Sequence, residues 1–161
     1  KKQTRKTKGT PDFTVVKQDS NVIVVIECKG DSKQHSSLDN IEEFAIYGYG
    51  NSDETEGYAV NGALWYASFL ADDYDVIAIG VSGQIYSAAK VTSFVWPKGG
   101  SISDIEIIED GVLNSQLVSI HEYEKDADVV LGRLAKTEAE IRKELRRYTL
   151  QCANFLRSNG I

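Results

Sequence analysis

Residues 22–26 read Val-Ile-Val-Val-Ile, which is five β-branched residues in an unbroken row. β-branched residues favour strands, and a strand without polar alternation has to be covered on both faces. The segment Asp75–Val81 (DVIAIGV) is apolar in the same way. Both runs are too short for a membrane-spanning helix, which needs roughly 20 apolar residues. The chain is therefore expected to place layers on both sides of a sheet, and no membrane partner is expected.

A hairpin is predicted to contain the first of these strands. Phe13–Lys17 is a shorter β-branched run, and residues 18–20 (QDS) between the two runs have the composition of a turn. Apolar residues then recur at helical spacing in two later segments. The other predicted elements are helices over 37–47 and 58–70, an acidic loop over 51–57, a second hairpin from 75 to 94, weak strands over 102–108 and 117–121, and one long helix over 126–159. This order predicts an α/β fold in which helices flank a mixed sheet and a long helix ends the chain.

Charge is distributed unevenly along the chain, whose net charge is −6. Residues 1–10 carry five basic residues and no acid, residues 31–75 carry ten acids and one lysine, and residues 133–147 carry six basic residues and three acids. The basic segments could lie along a phosphate backbone, or they could be ordinary solvated surface. The two cysteines, Cys28 and Cys152, form neither a disulfide framework nor a metal-binding motif, which favours a cytoplasmic location.

Asp12, Glu27 and Lys29 are expected to converge at one end of the predicted hairpin. Antiparallel pairing around a turn near residues 19–20 returns the end of the second strand to the start of the first, so that Asp12 lies opposite Glu27. Glu27 and Lys29 are two residues apart and therefore point to the same face of the sheet. Two carboxylates and an ammonium group are thus predicted to share one site.

A divalent cation is the expected partner of this group. Two neighbouring carboxylates repel each other unless a cation lies between them. Mg²⁺ prefers oxygen ligands, which Asp12, Glu27 and the backbone carbonyl of Cys28 would supply, with Mn²⁺ as a substitute. The ion would polarise a phosphodiester and acidify water, and Lys29 would orient or deprotonate that water or stabilise charge on the phosphate.

The same residues resemble the PD-(D/E)XK nuclease motif. Pro11-Asp12 is followed, after fourteen intervening residues, by Glu27-Cys28-Lys29, and Gly30 ends the strand directly after the lysine. The resemblance covers about residues 9–82. It implies a restriction-endonuclease-like core whose central hairpin carries the motif. It also implies a Mg²⁺-dependent DNA endonuclease, with Asp12, Glu27 and Lys29 as its catalytic residues.

The segment Tyr58–Ala67 (YAVNGALWYA) is similar to the helix that follows this motif in nuclease domains of restriction–modification enzymes. In the type I and type IIG systems such domains are fused or associated with adenine-N6 DNA methylases or translocases. Their helix lines the active site and often carries a Gln-x-x-x-Tyr signature. Here no glutamine is present, and Asn61 with Trp65 or Tyr66 takes that place. The resemblance therefore implies Asn61, Trp65 and Tyr66 as supporting residues of the active site.

The resulting interpretation divides the chain into a nuclease core, residues 1–125, and a C-terminal helix, residues 126–161, that leads to a following domain. The expected partner is double-stranded DNA, and cleavage of both strands would involve a transient dimer. The weaker candidates for DNA contact are Lys6, Lys8, Lys33 and Gln34. Two alternatives stay open: a nuclease-fold module that binds DNA or a partner protein without catalysis, and a nuclease for DNA repair or junctions.

Several other residues have an ordinary structural interpretation. His35, on the polar loop after the motif, is expected to be solvated. Trp65, Tyr66 and Phe69 are expected to pack mainly in the core and not to form a platform for base stacking. Cys28 lies between the two motif residues and points to the opposite face, where core packing is expected.

Overall fold

The computed structural model describes residues 9–85, 88–112, 117–134 and 138–158. Within these ranges the chain forms a mixed five-stranded sheet in the order β1-β2-β3-β4-β5, in which β2 and β3 are parallel and the other neighbours are antiparallel. The strands are β1 Phe13–Val16, β2 Val22–Lys29, β3 Asp75–Ser82, β4 Lys90–Trp96 and β5 Glu106–Val112. The predicted α/β fold with a mixed sheet is confirmed.

Helices cover the sheet and connect its strands. They are α1 Phe44–Tyr47, α2 Ser52–Gly57, α3 Ala59–Ala67, α4 Ile120–Val130 and α5 Glu138–Ser158, with short 3₁₀ turns at Ser32–Gln34, Ile41–Glu43 and Ile102–Asp104. Among the helices described, none combines the length and the apolar character that crossing a membrane requires.

The central strands β2, β3 and β4 are buried on both faces, as the row of β-branched residues predicts, whereas β1 at the edge of the sheet is exposed. On one face α3 packs against the sheet, and the buried side chains include Ile23, Val25, Val60, Leu64, Val76 and Phe94. On the other face α4 packs against Val24, Ile77, Ile79 and Val95 through Tyr123 and Ala127. Alternate residues of β2 and β3 enter the two cores, so these strands are covered on both sides.

Helix α3 approaches β3 closely because residue 80 is a glycine. A Cβ atom at Gly80 would lie 2.7 Å from the backbone nitrogen of Val60 and 2.8 Å from its Cα. Backbone atoms cannot rotate out of the way as a flexible side chain can. The distance between α3 and the sheet therefore depends on the absence of a side chain at this position.

Replacing Gly80 with alanine is expected to lower the free energy of unfolding by about 1–3 kcal/mol, because the new methyl group forces α3 away from β3. Gly57→Ala is the matched control, since a Cβ there meets no atom within 4 Å. Urea denaturation of both variants measures the effect. Equal stability of Gly80→Ala and the unchanged chain would contradict the close packing of α3.

The acidic loop predicted over 51–57 is wrong, because these residues form α2. The Asn51 side chain accepts hydrogen bonds from the backbone nitrogens of Asp53 and Glu54, and the Glu54 carboxylate accepts one from the nitrogen of Asn51. This reciprocal capping box satisfies donors that the first turn of a helix leaves free. The Asn-x-x-Glu spacing is a sequence signal for a helix start.

The weak strand predicted over 117–121 is also wrong, for the same physical reason. Ser119 and Glu122 form a second capping box, and α4 starts at Ile120. The helix predicted over 37–47 is shorter than expected. It starts as a 3₁₀ turn at Ile41. The side chain of the preceding residue, Asn40, caps this turn by accepting a hydrogen bond from the nitrogen of Glu42.

The single helix predicted from 126 to 159 is two helices, α4 and α5. Gly132 adopts a positive φ of 69°, its nitrogen donates to the Val129 carbonyl, and the Arg133 nitrogen donates to the Asp128 carbonyl. This pattern is a Schellman motif, which ends a helix at a left-handed glycine. The Arg133 guanidinium then binds both oxygens of Asp75 at the start of β3, at 2.6 and 3.0 Å. The chain is thus anchored to the sheet just after α4.

Candidate active site

The hairpin of β1 and β2 brings Asp12 beside the end of β2. Phe13 pairs with Ile26, so the preceding residue, Asp12, comes opposite Glu27. The backbone nitrogen of Cys28 donates a hydrogen bond of 2.7 Å to Oδ2 of Asp12. This bond holds the Asp12 carboxylate against the strand that carries the other two motif residues.

Glu27 and Lys29 form an ion pair on the α3 face of β2. Lys29 Nζ lies 2.9 Å from Glu27 Oε1, and the two side chains are only 19% and 11% exposed. Ile23 and Val25, on the same face of the strand, are core residues. The pair therefore continues an apolar row at the point where the sheet opens to a pocket. Lys29 thus faces the Glu27 carboxylate and does not turn away from it.

The Cys28 carbonyl faces the same side of β2 as Asp12. In an antiparallel ladder the N–H and C=O of one residue point to the same neighbouring strand, and the Cys28 N–H points to Asp12. The oxygen set expected for Mg²⁺ is thus drawn from one end of one hairpin. The Cys28 side chain is partly buried.

A pocket of about 480 Å³ opens beside this ion pair. Its walls come from β2, from the segment around Asn51, and from helices α2 and α3. The lining residues are Gly9, Glu27, Lys29, Tyr49, Gly50, Asn51, Ser52, Thr55, Glu56, Trp65 and Tyr66. The volume falls in the range of ordinary ligand sites.

The electrostatic environment of the pocket is acidic. Burial, followed by the charges of Glu27, Asp12 and Glu56, raises the pKa of the Tyr66 hydroxyl. Burial, followed by Asp12 and Glu27, also raises the pKa of the Cys28 thiol, so the thiol stays protonated at neutral pH. Burial is the largest cause of both pKa shifts, the charges of Asp12 and Glu27 add to both, and Lys29 opposes them at Cys28.

Helix α3 lies directly over Glu27. A Cβ atom at Gly62 would come within 2.9 Å of both Glu27 Cγ and the Thr55 carbonyl. The three supporting residues on this helix have different positions. Trp65 and Tyr66 line the pocket, whereas Asn61 does not.

Asn61 is fully buried and holds two loops together. Its Nδ2 donates to the Ser37 hydroxyl at 2.7 Å and to the Tyr49 carbonyl at 2.9 Å, and its Oδ1 accepts from the Ser37 nitrogen. Since Tyr49 is part of the pocket wall, Asn61 supports the pocket from behind. The expectation that Trp65, Tyr66 and Phe69 are mainly core residues is wrong, because Trp65 and Tyr66 are half-buried at the pocket and Phe69 is exposed.

The expectation that His35 is solvated is wrong as well. His35 is buried, with Nδ1 2.9 Å from the Ser82 hydroxyl and Nε2 2.8 Å from the Thr92 hydroxyl. Its carbonyl accepts a hydrogen bond from the nitrogen of Val60 in α3. Burial, followed by the charge of Lys90, lowers the pKa of the imidazole from 6.5 to about 4. His35 therefore fastens the loop after the motif to the sheet and to α3.

The weaker candidates for DNA contact are only partly placed. Lys33 and Gln34 are exposed on the 3₁₀ turn after β2, which leaves them accessible to a phosphate backbone. Lys6 and Lys8 lie outside the described residues. Thr55 and Glu56 were not predicted as site residues, and the Asn51-x-x-Glu54 spacing is the signal that would have placed them on a helix.

The donor set fits Mg²⁺, which accepts two carboxylates, a carbonyl and several waters. Among the described residues no group of three or more His, Cys, Asp or Glu side chains is positioned to hold a metal ion. A Mg²⁺ ion here would therefore need backbone and water oxygens besides the two carboxylates. Comparison of the chain with protein-family models, with curated proteins and with solved structures found no match.

Proposed function

We propose that this chain is a Mg²⁺-dependent DNA endonuclease domain that hydrolyses phosphodiester bonds. The observation that carries the proposal is the arrangement at the end of the hairpin: the Asp12 carboxylate is bonded to the Cys28 nitrogen, between Glu27 and Lys29, and the Glu27–Lys29 pair lines an acidic pocket. Glu27 and Lys29 are mostly buried, at 11% and 19% side-chain exposure, and burying such charges costs solvation energy. A cation shared by Glu27 and Asp12 would offset part of that cost.

Each residue of this group has a distinct task in the proposed reaction. Asp12, Glu27 and the Cys28 carbonyl hold the ion, which supplies Lewis-acid polarisation of the phosphate when bound. Lys29 donates to Glu27 at 2.9 Å, so its ammonium lies beside one of the two carboxylates that would hold the ion. There it positions the attacking water or stabilises the negative charge that develops on the phosphate.

The wider context of the proposal is a restriction–modification system. A net charge of −6 gives this domain little attraction for DNA as a whole. Sequence recognition would then belong to fused or associated methylase or translocase domains. One such site cuts one strand, so cleavage of both strands would need a second copy in a transient dimer or a second encounter.

A plasmid-nicking assay tests the proposal. We expect supercoiled DNA to be nicked with Mg²⁺ or Mn²⁺ and to stay intact with EDTA, since the two carboxylates cannot act on a phosphate without a cation between them. Nicking that persists at full rate in EDTA would reject the metal-dependent mechanism.

Calorimetric titration with Mn²⁺ separates the enzyme from a binding module of the same fold. The enzyme should release heat that disappears in Asp12→Asn, because that change removes a charged ligand. A binding module should show the same trace for both proteins.

A further inference from the structure

The pocket of the proposed active site has an aromatic wall that metal chemistry does not require. Tyr49, Trp65 and Tyr66 line it together with Glu27 and Lys29. Hydrolysis of a phosphodiester needs oxygen ligands, a cation and water, but no aromatic ring. These rings therefore have another role, which concerns the part of the substrate next to the phosphate.

Trp65 is held in place before any substrate arrives. Its ring makes T-shaped contacts with Tyr66, at 4.8 Å between centroids, and with Phe69, at 5.0 Å. Trp65 is still only half-buried, and it lines the pocket. A ring that is already oriented loses little conformational entropy when a ligand stacks on it.

Charge cannot hold a nucleic acid against this wall. Among the described residues that line the pocket, Lys29 is the one cation, and it is paired with Glu27, while Glu56 adds a further negative charge. Attraction of phosphates depends on lysine and arginine. Aromatic side chains instead bind the faces of nucleobases by stacking, which tolerates any base.

On this basis we propose that the aromatic wall receives an unpaired nucleobase adjacent to the scissile phosphate. A base inside a duplex already stacks on its neighbours, so only an unpaired or extruded base offers its face. The preferred substrate class is therefore DNA with a locally unpaired stretch. The proposal rests on the function proposed above, because the phosphate of the same nucleotide has to reach Asp12, Glu27 and Lys29.

Fluorescence tests the stacking without any need for cleavage. The chain has two tryptophans, and Trp96 is buried with its indole nitrogen bonded to the Gly100 carbonyl. Changes in tryptophan emission on binding therefore report on Trp65. We expect a short oligodeoxythymidylate to quench the emission, and an abasic oligomer of equal length and charge to quench it far less. Equal traces for the two oligomers would overturn the proposal.

Cleavage rates provide the second readout. They are measured with Mg²⁺ on three DNA substrates of one sequence: a full duplex, a duplex with an unpaired stretch, and the same duplex whose unpaired stretch lacks its bases. We expect the unpaired stretch to be cut fastest. Trp65→Leu should slow the cleavage of the unpaired stretch by about tenfold or more, down to the rate of the abasic substrate. The cleavage rate of the abasic substrate should be the same in both proteins.

Tyr47→Leu is the matched control, since Tyr47 is 69% exposed and does not line the pocket. It should leave all three rates as they are. If Trp65→Leu cuts the unpaired and abasic stretches at the original ratio, the stacking proposal fails while the nuclease proposal stands. If no substrate is cut with Mg²⁺, the nuclease proposal fails. The comparison of fluorescence quenching by the two oligomers then decides whether the aromatic wall binds bases.

Discussion

Replacing Lys29 with alanine is expected to lower the rate of Mg²⁺-dependent nicking by about 100-fold or more. The ammonium group lies 2.9 Å from Glu27 Oε1, and no other cation among the described residues lines the pocket. The variant therefore has nothing that can take over the task of positioning water or stabilising charge on the phosphate. Rates of plasmid nicking at saturating Mg²⁺ measure the loss.

Metal binding should survive in Lys29→Ala, because Asp12 and Glu27 lose a competing cation and keep their oxygens. Glu27→Gln should instead lose both nicking and the heat of Mn²⁺ binding. This difference separates a residue that acts on water or phosphate from a residue that holds the ion.

Lys98→Ala is the matched control for the lysine variant. Lys98 is exposed in the loop after β4 and does not line the pocket, so its loss should leave the nicking rate within about a factor of two for a surface change. Thermal unfolding should show that all three variants are folded. Undiminished nicking by folded Lys29→Ala would remove Lys29 from the mechanism.

Lowering the pH from 7 to 5 is expected to reduce the free energy of unfolding by about 2 kcal/mol through His35 alone. Its pKa is lowered from 6.5 to about 4 in the folded chain, so between these values the unfolded state binds the proton and the folded state does not. Stability is therefore fully present above pH 6.5 and is lost as the pH falls. The total loss by pH 4 is about 3 kcal/mol.

Urea denaturation at a series of pH values measures this effect. A histidine variant separates the contribution of His35 to the pH dependence from that of the carboxyl groups. His35→Gln should be less stable at pH 7 but should show a flatter dependence between pH 7 and 5. His121→Gln is the control, since the His121 side chain is 83% exposed, and it should keep the original slope. A slope unaffected by His35→Gln would mean that the imidazole is not held neutral in the fold.

The strands and the motif geometry could be predicted because they depend on short-range rules. Five β-branched residues in a row define a strand covered on both faces. A short turn then sets the register of the hairpin, and the register alone puts Asp12 opposite Glu27. Likewise, two residues on one strand share a face, so the position of Lys29 beside Glu27 follows from the chain itself.

The starts of α2 and α4 depend on capping residues, which are short polar signals. The overall composition of the same segments indicates a loop or a strand instead, so a prediction from composition is wrong there. Residues 51–57 are acidic and resemble a loop, yet one Asn-x-x-Glu pair is enough to cap α2. The break after α4 also has a local cause, a glycine at the left-handed position, although apolar spacing continues past it.

What the sequence by itself determined is the mixed sheet, the register that puts Asp12 opposite Glu27, and the shared face of Glu27 and Lys29, because strand alternation and a tight turn act over a few residues. Only the tertiary structure decided that His35 is buried, that Asn61 supports the pocket from behind, and that Trp65 and Tyr66 face Glu27. Loops and helix faces acquire their environment from elements distant in the chain. The same polar or aromatic residue is therefore surface, core or pocket wall according to what packs upon it.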